Sequence, residues 1–143
     1  MHYKTLICFD YGEKRLGVAV GQTLTATATP LETIPVHNKK PDWNRISKII
    51  QQWRPAALVV GLPLNMDGTR QKLTDLADGF ARQLEERYRL QVHMVDERLS
   101  TYEAKNRLQD LRNLDPVAAQ VILESWLLEY TKLSHPDATM GEE

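Results

Sequence analysis

Cysteine is almost absent from this chain of 143 residues, whose single thiol is Cys8. One cysteine excludes an internal disulfide framework, and it excludes zinc sites that are built from several thiolates. Because Cys8 lies within an apolar run, we expect its side chain to be buried and unreactive. A chain that folds without disulfides suits a reducing compartment, so we predict a cytoplasmic protein.

Long apolar runs and a dominant sign of charge are also missing. No run approaches the roughly 18 apolar residues of a membrane-spanning helix, and no basic leader precedes the first apolar segment, so we expect no membrane association. The 18 basic residues nearly balance the 19 acidic ones, and the net charge is -1. This balance gives no overall basic surface for nucleic acid, so such a partner would need a local cluster of cations.

Hydrophobic periodicity predicts one α/β domain over residues 1–133 and a flexible polar tail over residues 134–143. Three strands fill the first 34 residues as an antiparallel meander, and prolines place the third at an edge or break it. A helix is predicted to open over residues 38–42 and to end before Pro55. Strand, helix and strand then extend to residue 95, followed by helices from Ser100 and from Asp115, in the last of which Leu128 faces inward.

Polar or glycine-rich sequence follows three of the predicted strands. Asp10 ends the first strand, Gly61-Leu62-Pro63 follows the fourth, and Asp96-Glu97-Arg98 follows the fifth. Ligands of open α/β sheets bind at the carboxyl ends of parallel strands, so these residues are candidates for one site. Because side chains alternate along a strand, only one of the two adjacent acids, Asp96 or Glu97, points inward.

Asp115, at the first turn of the last helix, adds a further carboxylate if that helix lies beside the first strand. Three acids in one place repel each other unless a cation neutralises them, so the arrangement indicates a metal site. Oxygen ligands suit Mg²⁺ or Mn²⁺, and two such ions can support in-line cleavage of a phosphodiester. The pattern therefore fits a nuclease.

Purely structural roles for the same residues stay open. Asp10 could open a turn, and Asp115 before a proline could cap its helix. Gly61 and Pro63 could simply turn the chain, and Arg98 could pair with an exposed acid. The cations Lys14 and Arg15 suit either a solvated hairpin turn or contact with a phosphate.

Four segments, in this order and spacing, resemble the motifs of the YqgF family, also called RuvX. They are DYGEKRLGVAV at residues 10–20, VVGLPLNMDG at 59–68, VDERLST at 95–101 and LDPVAAQVIL at 114–123. The family consists of RNase H-like proteins regarded as Holliday-junction resolvases and as nucleases that mature the pre-16S ribosomal RNA. The resemblance implies a mixed five-stranded RNase H-like sheet in the order 3-2-1-4-5, flanked by helices.

The resemblance also implies a role for each candidate residue. Asp10, Glu97 and Asp115 correspond to the metal-binding and catalytic acids, with Mg²⁺ or Mn²⁺ as cofactor. The remaining positions are implied to bind nucleic acid or to shape the site: Lys14, Arg15, Arg98, Ser100 and Thr101 for binding, and Gly12, Gly17, Gly61 and Pro63 for shape. One departure is the short segment between residues 104 and 115, where many relatives look longer and more basic.

The predicted activity is therefore a metal-dependent hydrolase of phosphodiester bonds in structured nucleic acid, most consistent with 5′-end maturation of pre-16S rRNA in ribosome biogenesis. RNA is favoured over DNA as partner, and ribosomal precursor particles follow as a partner. Alternatives are a Holliday-junction resolvase, which as a symmetric cutter favours a homodimer over a monomer, and a non-catalytic RNA-binding ribosome or transcription factor. A sugar-kinase or actin-like fold also places Asp and Gly after its first strand, but it needs two lobes, and this chain has residues for one.

Overall fold

The computed structural model describes residues 4–97 and 115–134, and these form one mixed sheet with helices on both faces. The strands are β1 (Thr5–Tyr11), β2 (Arg15–Gln22), β3 (Thr27–His37), β4 (Lys40–Pro41), β5 (Ala57–Leu62) and β6 (Gln91–Asp96). The helices are α1 (Trp43–Trp53), α2 (Lys72–Tyr88) and α3 (Asp115–Ser134).

The sheet has the order β4-β3-β2-β1-β5-β6, in which β1 through β4 pair antiparallel and β1, β5 and β6 run parallel. The predicted α/β class and the predicted order of the five main strands are confirmed. The predicted strand count is wrong by one, because Lys40–Pro41 pairs with the end of β3 as a sixth, two-residue strand.

The helix start predicted over residues 38–42 is also wrong in part. Asn38 and Lys39 have positive φ values of 51° and 64° and form a tight turn between β3 and β4. The helix α1 begins only at Trp43, where the carboxylate of Asp42 accepts a hydrogen bond from the Arg45 N–H at 3.2 Å. It ends before Pro55, as predicted, with Arg54 in the left-handed conformation.

Alternation along the strands sends side chains into two separate cores. One core lies under α1 and α2, where Phe9 of β1 meets Phe80 edge to face at a ring separation of 5.6 Å. The other lies under α3, where Cys8, Val59 and the helix residue Leu123 belong to one buried cluster. Cys8 is fully buried, which confirms the prediction from its apolar neighbours.

Helix α3 lies very close to the sheet. Its buried positions include Ala119, Leu123 and Leu127, whereas Leu128 is 57% exposed, so the prediction that Leu128 faces inward is wrong. A Cβ atom on Gly21 of β2 would come within 2.8 Å of Leu123 Cδ2 and 2.9 Å of the Thr27 carbonyl oxygen. The absence of a side chain at Gly21 therefore sets how closely α3 approaches.

The remaining predictions concern membrane association and segments outside the described residues. Within residues 4–97 and 115–134, no helix is long and apolar enough to cross a membrane. The helix predicted over residues 100–111 lies outside the described residues, as do positions 135–143 of the predicted tail. The single domain over residues 1–133 and the cytoplasmic location stay predictions.

Two glycines offer a matched test of this packing. We expect Gly21→Ala to lower the free energy of unfolding by about 1–3 kcal/mol, because the added methyl overpacks the interface with α3. We expect Gly79→Ala, in the middle of α2 with no atom within 4 Å of the new Cβ, to raise it by up to about 1 kcal/mol. Urea denaturation of both variants checks the pair, and equal destabilisation by the two would contradict the assigned approach of α3.

Candidate functional site

The carboxyl ends of β1, β5 and β6 meet at one edge of the sheet, because the three strands are parallel neighbours. Asp10 lies near the end of β1, Leu62 ends β5, and Glu97 directly follows the last residue of β6, Asp96. The structure thus brings two of the three predicted acids to the same edge.

The two neighbouring acids at the end of β6, Asp96 and Glu97, point to different faces of the sheet. Asp10 has the same strand parity as Leu6 and Cys8, whose side chains belong to the core under α3. Glu97 has the parity of Val95, which lies in that core as well. Glu97, and not Asp96, is therefore the acid that shares a face with Asp10, a choice that the sequence left open.

The Glu97 side chain reaches Asp10 by crossing β5 above Gly61. A Cβ atom on Gly61 would stand 2.6 Å from Glu97 Oε2 and 2.8 Å from Ile122 Cδ1 of α3. Both distances are shorter than a Cβ atom tolerates to a neighbouring atom. The carboxyl groups of Glu97 and Asp10 consequently lie within hydrogen-bonding reach of each other. Glycine is thus required at position 61 because the Glu97 side chain passes so close to it, and not only because the chain turns there.

Burial and charge make this pair unfavourable as two free carboxylates. Burial chiefly, and then the charge of Asp96, raise the pKa of Glu97, while its hydrogen bond with Asp10 acts in the opposite direction. Burial also raises the pKa of Cys8 well above its usual value, with the charges of Asp10 and Glu97 adding to the effect. A proton or a cation between the two acids would relieve the repulsion.

The donor set fits a hard divalent cation, because Asp10 and Glu97 offer carboxylate oxygens on a rigid sheet edge. Within residues 4–97 and 115–134, no group of three acidic, histidine or cysteine side chains is assembled. Asp115, the predicted third ligand, begins α3 about two turns before Ile122. Its side chain lies outside the described residues, so its role stays a prediction.

The residues predicted to shape the site each have a visible local role. Gly12 cannot carry a side chain, because its Cβ would be 2.7 Å from the Arg15 carbonyl oxygen. Gly17 is buried directly opposite Asp10 in the β1–β2 ladder. The Pro63 carbonyl oxygen accepts hydrogen bonds from the Thr74 hydroxyl and, at 3.2 Å, from Gln71 Nε2, which ties this loop to the start of α2.

Only two of the five residues that were predicted to bind nucleic acid lie within the described part of the chain. Lys14 and Arg15 are exposed on the β1–β2 hairpin, at the same sheet edge as Asp10. Arg98, Ser100 and Thr101 lie outside the described residues. The β3–β4 turn also brings Lys39 and Lys40 to this edge, although sequence reasoning named neither as a site residue. The signal was Asn38, a residue that favours the left-handed turn conformation.

Comparison with known proteins supports the resemblance drawn from the motifs. A family model described as "RuvX: Holliday junction resolvase" matches residues 4–129. A protein of Nitrosococcus oceani is 46% identical over 139 residues, covering 92% of this chain and 91% of the relative. A protein of Legionella pneumophila (strain Paris) is 50% identical over 127 residues, covering 83% and 91%. Both relatives are named "Putative pre-16S rRNA nuclease".

Two solved structures have the same fold. Thermus thermophilus RuvC matches with a TM-score of 0.55 at 14% identity, covering 96% of each chain. RuvC of T. thermophilus in complex with a Holliday junction substrate matches with a TM-score of 0.53 at 15% identity, covering 88% of this chain and 94% of that one. At this level of identity the likeness concerns the fold alone, and it confirms the predicted RNase H-like class.

The raised pKa of Glu97 has a consequence for stability. The folded protein holds a proton on Glu97 at pH values where the unfolded chain has lost it, so wild-type stability falls as the pH rises from about 4.3 through the raised pKa. Glu97→Gln removes this dependence, so without divalent metal the variant should be more stable than wild type near pH 8, and the advantage should shrink toward pH 4. Urea denaturation across this range measures it.

The exposed Glu86 on α2 provides the matched control. Glu86→Gln has the same change in charge but should show no comparable gain at high pH. A Glu97→Gln variant that is less stable than wild type near pH 8 would contradict the assigned cost of burying the Glu97 carboxylate.

Proposed function

This chain belongs to the RuvX family, and we propose that it is a divalent-metal-dependent nuclease that hydrolyses phosphodiester bonds in structured nucleic acid. The relatives are named as nucleases, a class of hydrolases that act on ester bonds. The observation that carries the proposal is the approach of Glu97 to Asp10 across Gly61. Two acids held this close on a rigid edge are costly without a cation, and useful with one.

In this proposal Asp10 and Glu97 hold Mg²⁺ or Mn²⁺, and Asp115 at the start of α3 completes the set of acids. A bound divalent cation supplies charge that stabilises the phosphodiester transition state and favours deprotonation of the attacking water. The protein fixes the two acids in place: the β1 ladder holds Asp10, and Gly61 together with Ile122 confines Glu97. Lys14 and Arg15, exposed on the neighbouring hairpin, offer positive charge to the flanking phosphates.

The names of the relatives favour precursor 16S ribosomal RNA as the substrate, with cleavage that matures its 5′ end during ribosome biogenesis. The description of the family model favours a second candidate, resolution of a Holliday junction in DNA. Junction resolution requires two symmetric cuts and hence a homodimer, whereas trimming of RNA is within reach of a monomer. Matched RNA and branched-DNA substrates separate the two candidates.

The central test is Asp10→Asn, which keeps the shape of the side chain and removes half of the closest acid pair. We expect cleavage of an extended 16S rRNA precursor with Mg²⁺ or Mn²⁺ to fall by about 10³-fold or more, because several kcal/mol of charge stabilisation are lost. Asp78→Asn, on the outer face of α2 where Asp78 pairs with Arg70 and Arg82, is the matched control and should cleave like wild type. If Asp10→Asn cleaves as fast as wild type, the mechanism is wrong.

A second test keeps every acidic residue and changes only the distance between Glu97 and Asp10. Gly61→Ala should push Glu97 away from Asp10, so we expect cleavage to fall by about 10²-fold and the rise of melting temperature on adding Mn²⁺ to shrink. Gly79→Ala, the same substitution in open space on α2, should leave both measurements near wild type. Full Mn²⁺ stabilisation in Gly61→Ala would show that Glu97 does not hold the metal.

A further inference from the structure

Some basic side chains in the described part of the chain are held by ion pairs. Arg45 pairs with Glu32, Arg70 with Asp75 and Asp78, and Arg82 with Asp78, so these guanidinium groups already have acidic partners. Lys14, Lys39 and Lys40 are exposed, and none has an ion pair within the part of the chain that the structure describes. Their charge is therefore available to an anionic partner.

The β3–β4 turn presents two of these lysines rigidly. Val36 and His37 pair with Pro41 and Lys40, which leaves Asn38 and Lys39 as a two-residue connection. Positive φ values at both residues, 51° and 64°, are those of a type I′ turn, whose twist matches that of the flanking strands. Lys39 and Lys40 consequently project from a short hairpin with a fixed backbone rather than from a flexible loop.

Two hydrogen bonds join this turn to the strand of the site. The Val36 N–H donates to the Lys14 carbonyl oxygen at 2.9 Å, which connects the end of β3 to the β1–β2 hairpin. The Tyr11 hydroxyl donates to the Lys39 carbonyl oxygen at 3.4 Å. Tyr11 is buried against Phe80 and directly follows Asp10 in β1, so the three lysines keep a fixed position relative to Asp10.

Acidic groups beside these lysines are few in the described part of the chain. Glu13 lies in the same hairpin as Lys14, and its charge, after burial, helps to raise the pKa of Tyr11. Asp75 lines a cavity of about 200 Å³ together with Tyr11 and Lys39, but its carboxylate is held by Arg70 at 2.8 Å. Asp42, two residues after Lys40, caps α1, so Glu13 is the acid of the β1–β2 hairpin that opposes an anion here.

We propose that Lys14, Lys39 and Lys40 form a lysine edge that binds the phosphate backbone of the substrate on one side of the cut. The inference rests on the proposed nuclease function and gives the substrate a direction: it runs from Asp10 across β2 and β3 to the β3–β4 turn. Three strand spacings of about 4.8 Å separate β1 from β4, or about 14 Å. At about 3.4 Å per nucleotide along one strand of a duplex, Lys39 and Lys40 contact phosphates about four nucleotides from the cut, and Lys14 contacts phosphates nearer to it.

The test measures binding without cleavage. A fluorescein-labelled RNA duplex with a single-stranded overhang, and its DNA counterpart, are titrated in chelator at several salt concentrations, and anisotropy gives the Kd. Lys39→Gln with Lys40→Gln should weaken binding about tenfold and reduce the slope of log K against log salt by about 1.4 to 1.8, because each lost phosphate contact removes about 0.7 to 0.9. RNA and DNA should respond alike if only the backbone is contacted.

The matched control is Lys4→Gln with Lys48→Gln, which removes the same charge from exposed positions, Lys4 at the opposite end of β1 and Lys48 on α1. This variant should bind with the wild-type Kd and salt slope, and thermal melts should show that both double variants are folded. Glu13→Gln should tighten binding, since it removes the opposing acid. Equal losses in the two double variants would show a non-specific charge effect and overturn the proposal.

Cleavage distinguishes this inference from the proposed function. If wild type cleaves but Lys39→Gln with Lys40→Gln binds normally, the lysine edge is wrong and the nuclease stands. If wild type does not cleave with Mg²⁺ or Mn²⁺ while the double variant still binds weakly, the nuclease is wrong and the lysine edge stands. Shortening the flank on one side of the cut to fewer than about four nucleotides should remove the difference between wild type and the variant.

Discussion

The close approach of Glu97 to Asp10 is the constraint on which the rest of the site depends. It requires a strand without a side chain between them, which Gly61 provides, and a helix that stays near enough for Ile122 to confine the Glu97 side chain. Burial raises the pKa of Glu97 beside Asp10, so the charged pair carries a local cost that the proposed cation would offset. The rest of the sheet holds this arrangement with ordinary hydrophobic packing on both faces.

The same alternation that builds the two cores also divides the chemistry. Asp10 points to the face under α3, and its neighbour Tyr11 points to the face under α2. Consecutive residues of β1 therefore belong to two environments, one with the acids and one that anchors the turn at Lys39. In the proposed function, the end of this one strand would join metal binding at Asp10 to recognition of a flanking phosphate near Lys39.

The sequence predicted most of the frame, because apolar periodicity reports burial. Continuous apolar runs identified β1 and β5, and the polar residues after them identified the edge that carries the site. The choice between Asp96 and Glu97 needed the structure, since parity can be assigned only once the end of β6 is known. The turn at Asn38 was misread because Pro41 and Asp42 also match a helix start, and the tertiary pairing of Lys40 with His37 decided the outcome. Asp115 was predicted from a motif, and hydrophobic periodicity does not predict where its side chain lies.

Helix α3 follows all six described strands, yet it covers the face that holds Cys8, Val59 and Asp10. During synthesis the sheet can therefore pair before this face has its cover, and the apolar side chains that contact Leu123 stay exposed to solvent until the last helix docks. A chain that lacks α3 would thus have Asp10 of β1 and Glu97, which follows β6, without the helix whose Ile122 confines Glu97, so this arrangement depends on the docking of α3.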